Sequence, residues 1–277
     1  MKVSIIIPTY NEEQHIVDCL NSIKNQTYKD LELIVVDDGS ADNTLNFVSN
    51  LNFNNLIILK QKHMGPAAAR NYGAQKSKGD ILIFVDSDMV FDKKFVEKLI
   101  KPIIKNESKG TFSKDEYVLN WNNVWSKCWN INSNLPIKRR ISVDYPDTQK
   151  VFRAILKREF EKVNGFSKGG YTDDWSLSEK LDYEATLAQD AVYYHKNPEK
   201  LSEIYKQSKW IAKRDYKFGF IGQLYTLFVS SFVISLIIGI YKSIKHSNFY
   251  FLIFKIIYDF GIFMGITEMT LFGKSGK

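Results

Sequence analysis

Ile81-Leu82-Ile83-Phe84-Val85-Asp86-Ser87-Asp88 is an apolar run that ends abruptly in two carboxylates. A short, continuous apolar run fits a strand buried on both faces of a parallel sheet. Side chains alternate along a strand, so Asp86 and Asp88 fall on the same side and can face one cation, its waters and nearby phosphate oxygens. Magnesium and manganese suit such oxygen donors. Taken alone, the same spacing also describes a solvated strand end.

Outward from this run the pattern repeats. Residues 3–7 form a short apolar stretch that stops at Pro8, where proline cannot continue a ladder. Ile16, Cys19, Leu20 and Ile23 recur at helical spacing. A second strand is expected over 31–36, closed by Asp37, Asp38 and Gly39. A helix over 41–51, a strand over 56–59 and a helix over 66–76 then lead to the quoted run. This βαβαβαβ order predicts an α/β fold, a parallel sheet with helices on both faces joined by right-handed crossovers. Ligands are expected at the edge where the strands end. Residues 110–142 have no clear period and read as irregular. Residues 151–163 read as a strand leading into a helix, and an acidic turn over 171–175 precedes another helix.

Three further segments arrive at the same edge. Asp37 and Asp38 can accept hydrogen bonds from a base edge or ribose hydroxyl, although Ser40 or Asp42 would equally serve as helix caps. Pro8-Thr9-Tyr10-Asn11-Glu12 is a polar loop delivered by the first strand. Met64-Gly65-Pro66-Ala67-Ala68-Ala69-Arg70-Asn71 opens a helix with small residues and sets Arg70 one turn inside, a start that can face phosphate.

These four segments, in this order and each at a strand end, resemble the inverting family-two nucleotide-sugar glycosyltransferases with a GT-A-type fold. The likeness is close over residues 3–90 and looser to about 214. It implies that Pro8, Thr9, Tyr10, Glu12, Asp37 and Asp38 hold the nucleoside, and that Gly65 and Arg70 face the nucleotide sugar. Asp86 and Asp88 would hold Mg2+ or Mn2+ and the diphosphate. Phe160-Glu161-Lys162-Val163-Asn164-Gly165-Phe166 resembles the acceptor-side helix and turn, and Asp173 and Asp174 stand where the family has its acidic pair. By that resemblance Asp174 is the general base for the acceptor hydroxyl, with Asp173 polarising it or capping the next helix. Gln207-Ser208-Lys209-Trp210 looks like a reduced form of the Gln-x-x-Arg-Trp element of processive members. Lysine replaces arginine there, which argues against a polysaccharide synthase, as does the lack of additional amino-terminal spans. Gln207, Lys209 and Trp210 are expected on the donor side, and His195 reads as a structural histidine.

With 277 residues and 44% hydrophobic content, the chain can bury a large core. Its net charge of +7 gathers in Lys206, Lys209, Lys213, Arg214 and Lys217, which suits an anionic membrane surface or a diphosphate. A basic stripe across the domain is absent, so nucleic acid is not an expected partner. Cys19 and Cys128 are too few and too separated for a disulfide framework. The amino terminus turns polar too early for a signal peptide, so the catalytic part is expected in the cytoplasm.

Residues 218–241 contain no charge, and a continuous helix there would span roughly 35 Å, enough for a hydrocarbon core of about 30 Å. A second apolar run, about 249–272, is interrupted by Lys255, Asp259 and Glu268, so it either spans the bilayer, the favoured reading, or lies along its surface. Lys255 and Asp259 are spaced to pair on one helical face. The expected organisation is therefore a catalytic domain over 1–217 and a membrane anchor over 218–277, a transmembrane helix pair at the cell membrane. The expected partners are a UDP- or GDP-sugar and a lipid-linked acceptor. Two rivals remain, a sugar-phosphate nucleotidyltransferase and a catalytically silent nucleotide-sugar binding module. The first lacks its glycine- and arginine-rich loop after strand one, and the second would have lost its acid pairs.

Overall fold

A computed structural model describes residues 1–167, 174–214 and 216–272. The first strands follow the apolar runs: β1 (Val3–Thr9), β2 (Leu31–Asp37), β3 (Leu56–Lys60) and β4 (Ile81–Phe84), with α1 (Ile16–Lys24), α2 (Thr44–Ser49) and α3 (Pro66–Lys76) between them. They pair in parallel in the order β3-β2-β1-β4. Both faces are covered, which is why these strands read as unbroken hydrophobic runs. Ile5, Ile7, Leu33, Val35 and Ile83 share one core cluster with Cys19, Leu20 and Ile23 of α1. Ile6, Ile34, Val36, Leu82 and Phe84 share the other with Ala67, Ala69 and Ala74 of α3. Helix α3 approaches closely through Gly73, where a Cβ would lie 2.6 Å from Ile6 Cγ2.

Strand β1 runs two residues past Pro8's predecessor, with Pro8 opposite Val36 and Thr9 opposite Asp37. Thr9 O accepts from Asp38 N, and Ile6 O accepts from Val85 N. By alternation the nitrogen of Pro8 points toward β4, beyond the end of that ladder, so its missing N–H costs no bond.

After β4 the simple crossover pattern ends. The chain continues through β5 (Met89–Phe91), α4 (Phe95–Ile104), β6 (Gly110–Phe112), β7 (Glu116–Val118), α5 (Val124–Asn132), β8 (Thr148–Gln149), β9 (Ala154–Leu156), α6 (Lys157–Lys162), α7 (Ser176–Leu181), β10 (Ala185–Leu187) and β11 (Tyr193–His195). Strand β9 inserts antiparallel to both β4 and β6, giving the mixed sheet β3-β2-β1-β4-β9-β6-β10-β8. A small second sheet, β5-β11-β7, lies beside the end of β4 in sequence. Residues 110–142, expected to be irregular, thus contain two short strands and α5.

Compactness divides the chain at other places than hydropathy does. One unit comprises 1–117 and 143–195, and the other 118–142 and 196–277. The second unit is helical, with α5, α8 (Leu201–Ile211), α9 (Phe220–Val229), α10 (Phe232–Lys245) and α11 (Tyr250–Phe272). The uncharged run 218–241 is not one helix. It breaks at Ser230 and Ser231, and the axes of α9 and α10 differ by 58°. Ser231 is extended, with ψ of 150°, in keeping with the tendency of small polar pairs to interrupt helices. Lys255 and Asp259 do pair, at 2.9 Å, and Asp259 also accepts from Ser235 Oγ at 2.5 Å.

Candidate functional site

The carboxyl ends of β1, β2 and β4 deliver polar residues of the first unit to one edge. The loop after β1 is locked to the loop after β2. Asn11, with φ of 55°, receives Ala41 N on its side chain and donates its own N–H to Ser40 Oγ. Glu12 N donates to Thr44 Oγ1 and Glu13 N to Asp42 Oδ2. Asp42 and Ser40 therefore tie two loops together in addition to any local turn role.

Asp37 and Asp38 are both buried, and they differ in what they do. Asp37 accepts Ser40 N at 3.3 Å. Asp38 accepts Gln61 Nε2 at 2.6 Å and the backbone N–H groups of Met64 and Gly65 at 2.9 Å each, with His63 Nδ1 also at 2.9 Å. Its carboxylate shapes the turn into α3 at Gly65, whose φ is 89°. That turn stacks His63 on Tyr10, ring centroids 4.1 Å apart, an aromatic platform at the strand edge. Nearby, Thr9 Oγ1 is buried with no hydrogen-bond partner among the described residues, an unusual state that a bound ligand would relieve.

Arg70 does not present itself to open solvent at the helix start. Its side chain is buried, with Nη2 donating to Asp86 Oδ1 at 2.8 Å and Nη1 to Asp174 Oδ1 at 2.5 Å. Arg153, from the residue before β9, adds a contact to Asp86 Oδ2 at 3.3 Å. Burial would raise the Asp86 carboxyl, but the two guanidinium groups outweigh it and hold it well below the usual carboxylate range. Asp174 does not cap α7. The cap position is Trp175, with no side-chain capping bond, and the Asp174 carboxylate turns to Arg70 instead. Asp173 lies outside the described residues.

Asp88 has a different partner. His195 Nε2 lies 2.7 Å from Asp88 Oδ2, and Nδ1 lies 3.2 Å from Glu116 Oε1. Glu116 is held in turn by Tyr193 Oη at 3.1 Å. Burial pushes the Asp88 carboxyl up, and the hydrogen bond and charge of His195 bring it below its ordinary value. For Glu12 the charge of His195 is a smaller counterweight and does not prevail. Burial first, then the negative charges of Asp88 and Asp86, push it up to about 7.

These residues fit a divalent cation in part. Among the described residues, no group of three or more His, Cys, Asp and Glu side chains has the spacing of a complete metal site. The donors that do suit one are Asp88 and the Nε2 of His195, whose other nitrogen faces a carboxylate as in imidazole ligands oriented from behind. His195, read from the sequence as structural, thus sits on the Asp-x-Asp motif.

The structure brings together Pro8, Thr9, Tyr10, Glu12, Asp37, Asp38, Gly65, Arg70, Asp86, Asp88 and Asp174 in the first unit. Gln207, Lys209 and Trp210 belong to α8 in the second, where Lys209 donates to Glu268 of α11. Arg153, Glu116 and His63 had no sequence signal. His195 is separated from Asp88 by 107 positions, and only the antiparallel pairing of β11 with β5, His195 opposite Met89, brings it back.

A sequence model of the family described as Glycosyl transferase family 2 matches residues 4–163. Glycosyltransferase GlyA of Streptococcus pneumoniae is 35% identical over 126 residues, covering 40% of this chain and 18% of that protein. The chain spans less than half the length of the first curated relatives it matches. Two solved structures share the fold. TarS 1–349 of S. aureus, in complex with UDP-GlcNAc, aligns over 100% of this chain and 93% of its own with a TM-score of 0.59 at 18% identity. The mannosyltransferase PcManGT of Pyrobaculum calidifontis, in complex with GDP-Man and Mn2+, aligns over 99% and 88% with a TM-score of 0.58 at 17% identity.

Proposed function

The chain belongs to glycosyl transferase family 2, and from that premise we propose that it moves a sugar from a nucleoside diphosphate sugar to a lipid-linked acceptor with inversion at the anomeric carbon. The observation that carries this reading is the bridge Asp86–Arg70–Asp174. One guanidinium fixes both the donor-side acid and the candidate base, so the two are set in register before any substrate arrives.

In this reading the nucleoside lies against Tyr10 and His63, with Asp37 and Thr9 supplying polar contacts. Asp88 and His195 would hold a divalent cation at the diphosphate end of the donor, with Asp86 fixed beside them by Arg70 and Arg153. A divalent cation bound there would neutralise charge on the departing diphosphate. Asp174 accepts the proton of the acceptor hydroxyl as its oxygen attacks from the opposite face of the sugar. Arg70 keeps that carboxylate oriented. The lipid-linked character of the acceptor and a cytoplasmic-face location rest on the apolar helices of the second unit. The structural relatives in complex with UDP-GlcNAc and GDP-Man support a UDP- or GDP-sugar as donor.

The test is to incubate the purified protein with a panel of UDP- and GDP-sugars, with and without manganese, and to follow release of nucleoside diphosphate. Release with one sugar, raised by an acceptor lipid phosphate, is the expected result. No release from any nucleotide sugar, with intact fold, would defeat the proposal.

A further inference from the structure

Helices α9 and α10 each leave one apolar face uncovered. On α9, Ile221, Leu224, Tyr225 and Phe228 are exposed, spaced i, i+3, i+4 and i+7 on a single face. On α10, Val233, Ile237, Ile240 and Ile244 are exposed, again along one stripe. The opposite face of α10 is packed: Ser235 meets Asp259, and a Cβ at Gly239 would lie 2.7 Å from Leu252.

Neither helix alone is long enough to cross a bilayer, and the 58° bend between them keeps the two from forming one straight span. At about 1.5 Å per residue, the 10 residues of α9 and 14 of α10 reach roughly 15 and 21 Å, against a hydrocarbon core of about 30 Å. Helix α11 is long enough, and it exposes Tyr250, Ile253, Phe260 and Phe263 on one side, but its other side is packed along its length by neighbours that carry polar groups. Near its start Phe251 and Phe254 are buried with Cys128 of α5 and Ile204 of α8. Further along, a Cβ at Gly261 or Gly265 would collide with α8 or the residue just after it. Near its end Glu268 receives Lys209 and Lys213. Helix α8 turns Ser202 and Lys206 outward, and hydrocarbon strongly disfavours such a charge. The tip of the α10–α11 hairpin is tied down as well, with Lys242 Nζ donating to Ile131 O at 2.7 Å and Asn134 Oδ1 at 2.8 Å beside the end of α5.

We propose that the exposed apolar faces of α9 and α10 lie in the plane of one anionic phospholipid leaflet, so that the chain is attached from one side and does not span the bilayer. Charge names the occupant. From Tyr216 to Asn248 the charged side chains are Lys217, Lys242 and Lys245, with no acid among them; Lys242 is engaged beside the end of α5, which leaves Lys217 and Lys245 exposed. Lysines at the margins of an apolar stripe match anionic headgroups, and Tyr225 and Tyr241 suit the headgroup level. A second copy of the chain would bring like charges together. This attachment goes beyond the catalytic reading and stands independently of which acceptor is used.

The test uses the purified full chain and two measurements. In sedimentation with phosphatidylcholine vesicles containing phosphatidylglycerol, binding should exceed that to phosphatidylcholine alone by at least about tenfold. Ile237→Asp should lose a similar factor, as should Phe228→Asp, with unchanged circular dichroism. In membrane vesicles of known orientation, Ser247→Cys at the hairpin tip should react with an impermeant maleimide from the same side as Ser49→Cys of the catalytic unit, since Cys19 and Cys128 are buried. Labelling of Ser247→Cys only from the opposite side would overturn the proposal in favour of a spanning hairpin. Absence of vesicle binding, with a dimer abolished by Ile237→Asp, would overturn it in favour of contact between copies.

Discussion

Replacing Asp174 with Asn keeps the side-chain volume and an oxygen facing Arg70, and removes the negative charge and with it the capacity to take a proton. The general-base contribution is typically two to four orders of magnitude in rate, or about 3 to 5 kcal/mol at roughly 1.36 kcal/mol per decade. The structural cost is much smaller. Asp174's side chain is 36% exposed, so the weakened bond to Arg70 should cost about 1 kcal/mol or less. Arg70 keeps its bond to Asp86, which leaves the donor side in place. Turnover should therefore fall by about 100- to 10,000-fold while donor affinity changes less than about threefold, the signature of an interaction made in the transition state. Steady-state release of nucleoside diphosphate, paired with calorimetric donor titration, measures both quantities. Near-normal turnover in Asp174→Asn would refute the assignment of the base, and a parallel loss of donor binding would make the residue a binding group.

His195→Ala should weaken manganese-dependent nucleotide binding by about tenfold or more, and Glu116→Gln by about 10- to 100-fold through the imidazole it orients; manganese titrations at fixed nucleotide that leave either variant unchanged would remove His195 from the cation site. Asp38→Ala leaves the N–H groups of Met64 and Gly65 without their acceptor and should cost about 3 kcal/mol, read as a lowered denaturant midpoint. Gly73→Ala drives a Cβ to 2.6 Å from Ile6 Cγ2 and 3.1 Å from Val36 Cγ2, so chemical denaturation should register a net loss of about 1–2 kcal/mol despite the better helix propensity of alanine.

The first four strands were legible because residues such as Ile5, Ile34 and Ile83 are buried on both faces of the sheet and leave uninterrupted apolar runs. Strands β6 and β9 are three residues each, too short to carry a period, and the switch to antiparallel pairing at β9 has no local signature. Helix α5 was hidden because the polar residues Ser126 and Asn130 share its buried face with Cys128 and Ile131. The break at Ser230 and Ser231 was invisible to hydropathy, since apolar residues continue on both sides. At the site, Asp86, Asp88 and Asp174 were readable as acids at strand and loop ends. Their partners were not. Arg70 was expected at phosphate and instead bridges two carboxylates, while Arg153 and His195 reach Asp86 and Asp88 across 67 and 107 positions. Long-range pairing of β9 and β11 sets those contacts, and no spacing rule encodes it.

In the proposed function the acids at the end of β4 hold a nucleoside diphosphate through a divalent cation. Calorimetric titration of the purified protein with UDP and GDP, with and without Mn2+, tests it most directly, alongside Asp88→Asn. Binding of one nucleotide should strengthen at least about tenfold with Mn2+ and lose that gain in Asp88→Asn. Binding whose manganese dependence survives unchanged in Asp88→Asn, or no nucleotide binding by the folded protein, would contradict it.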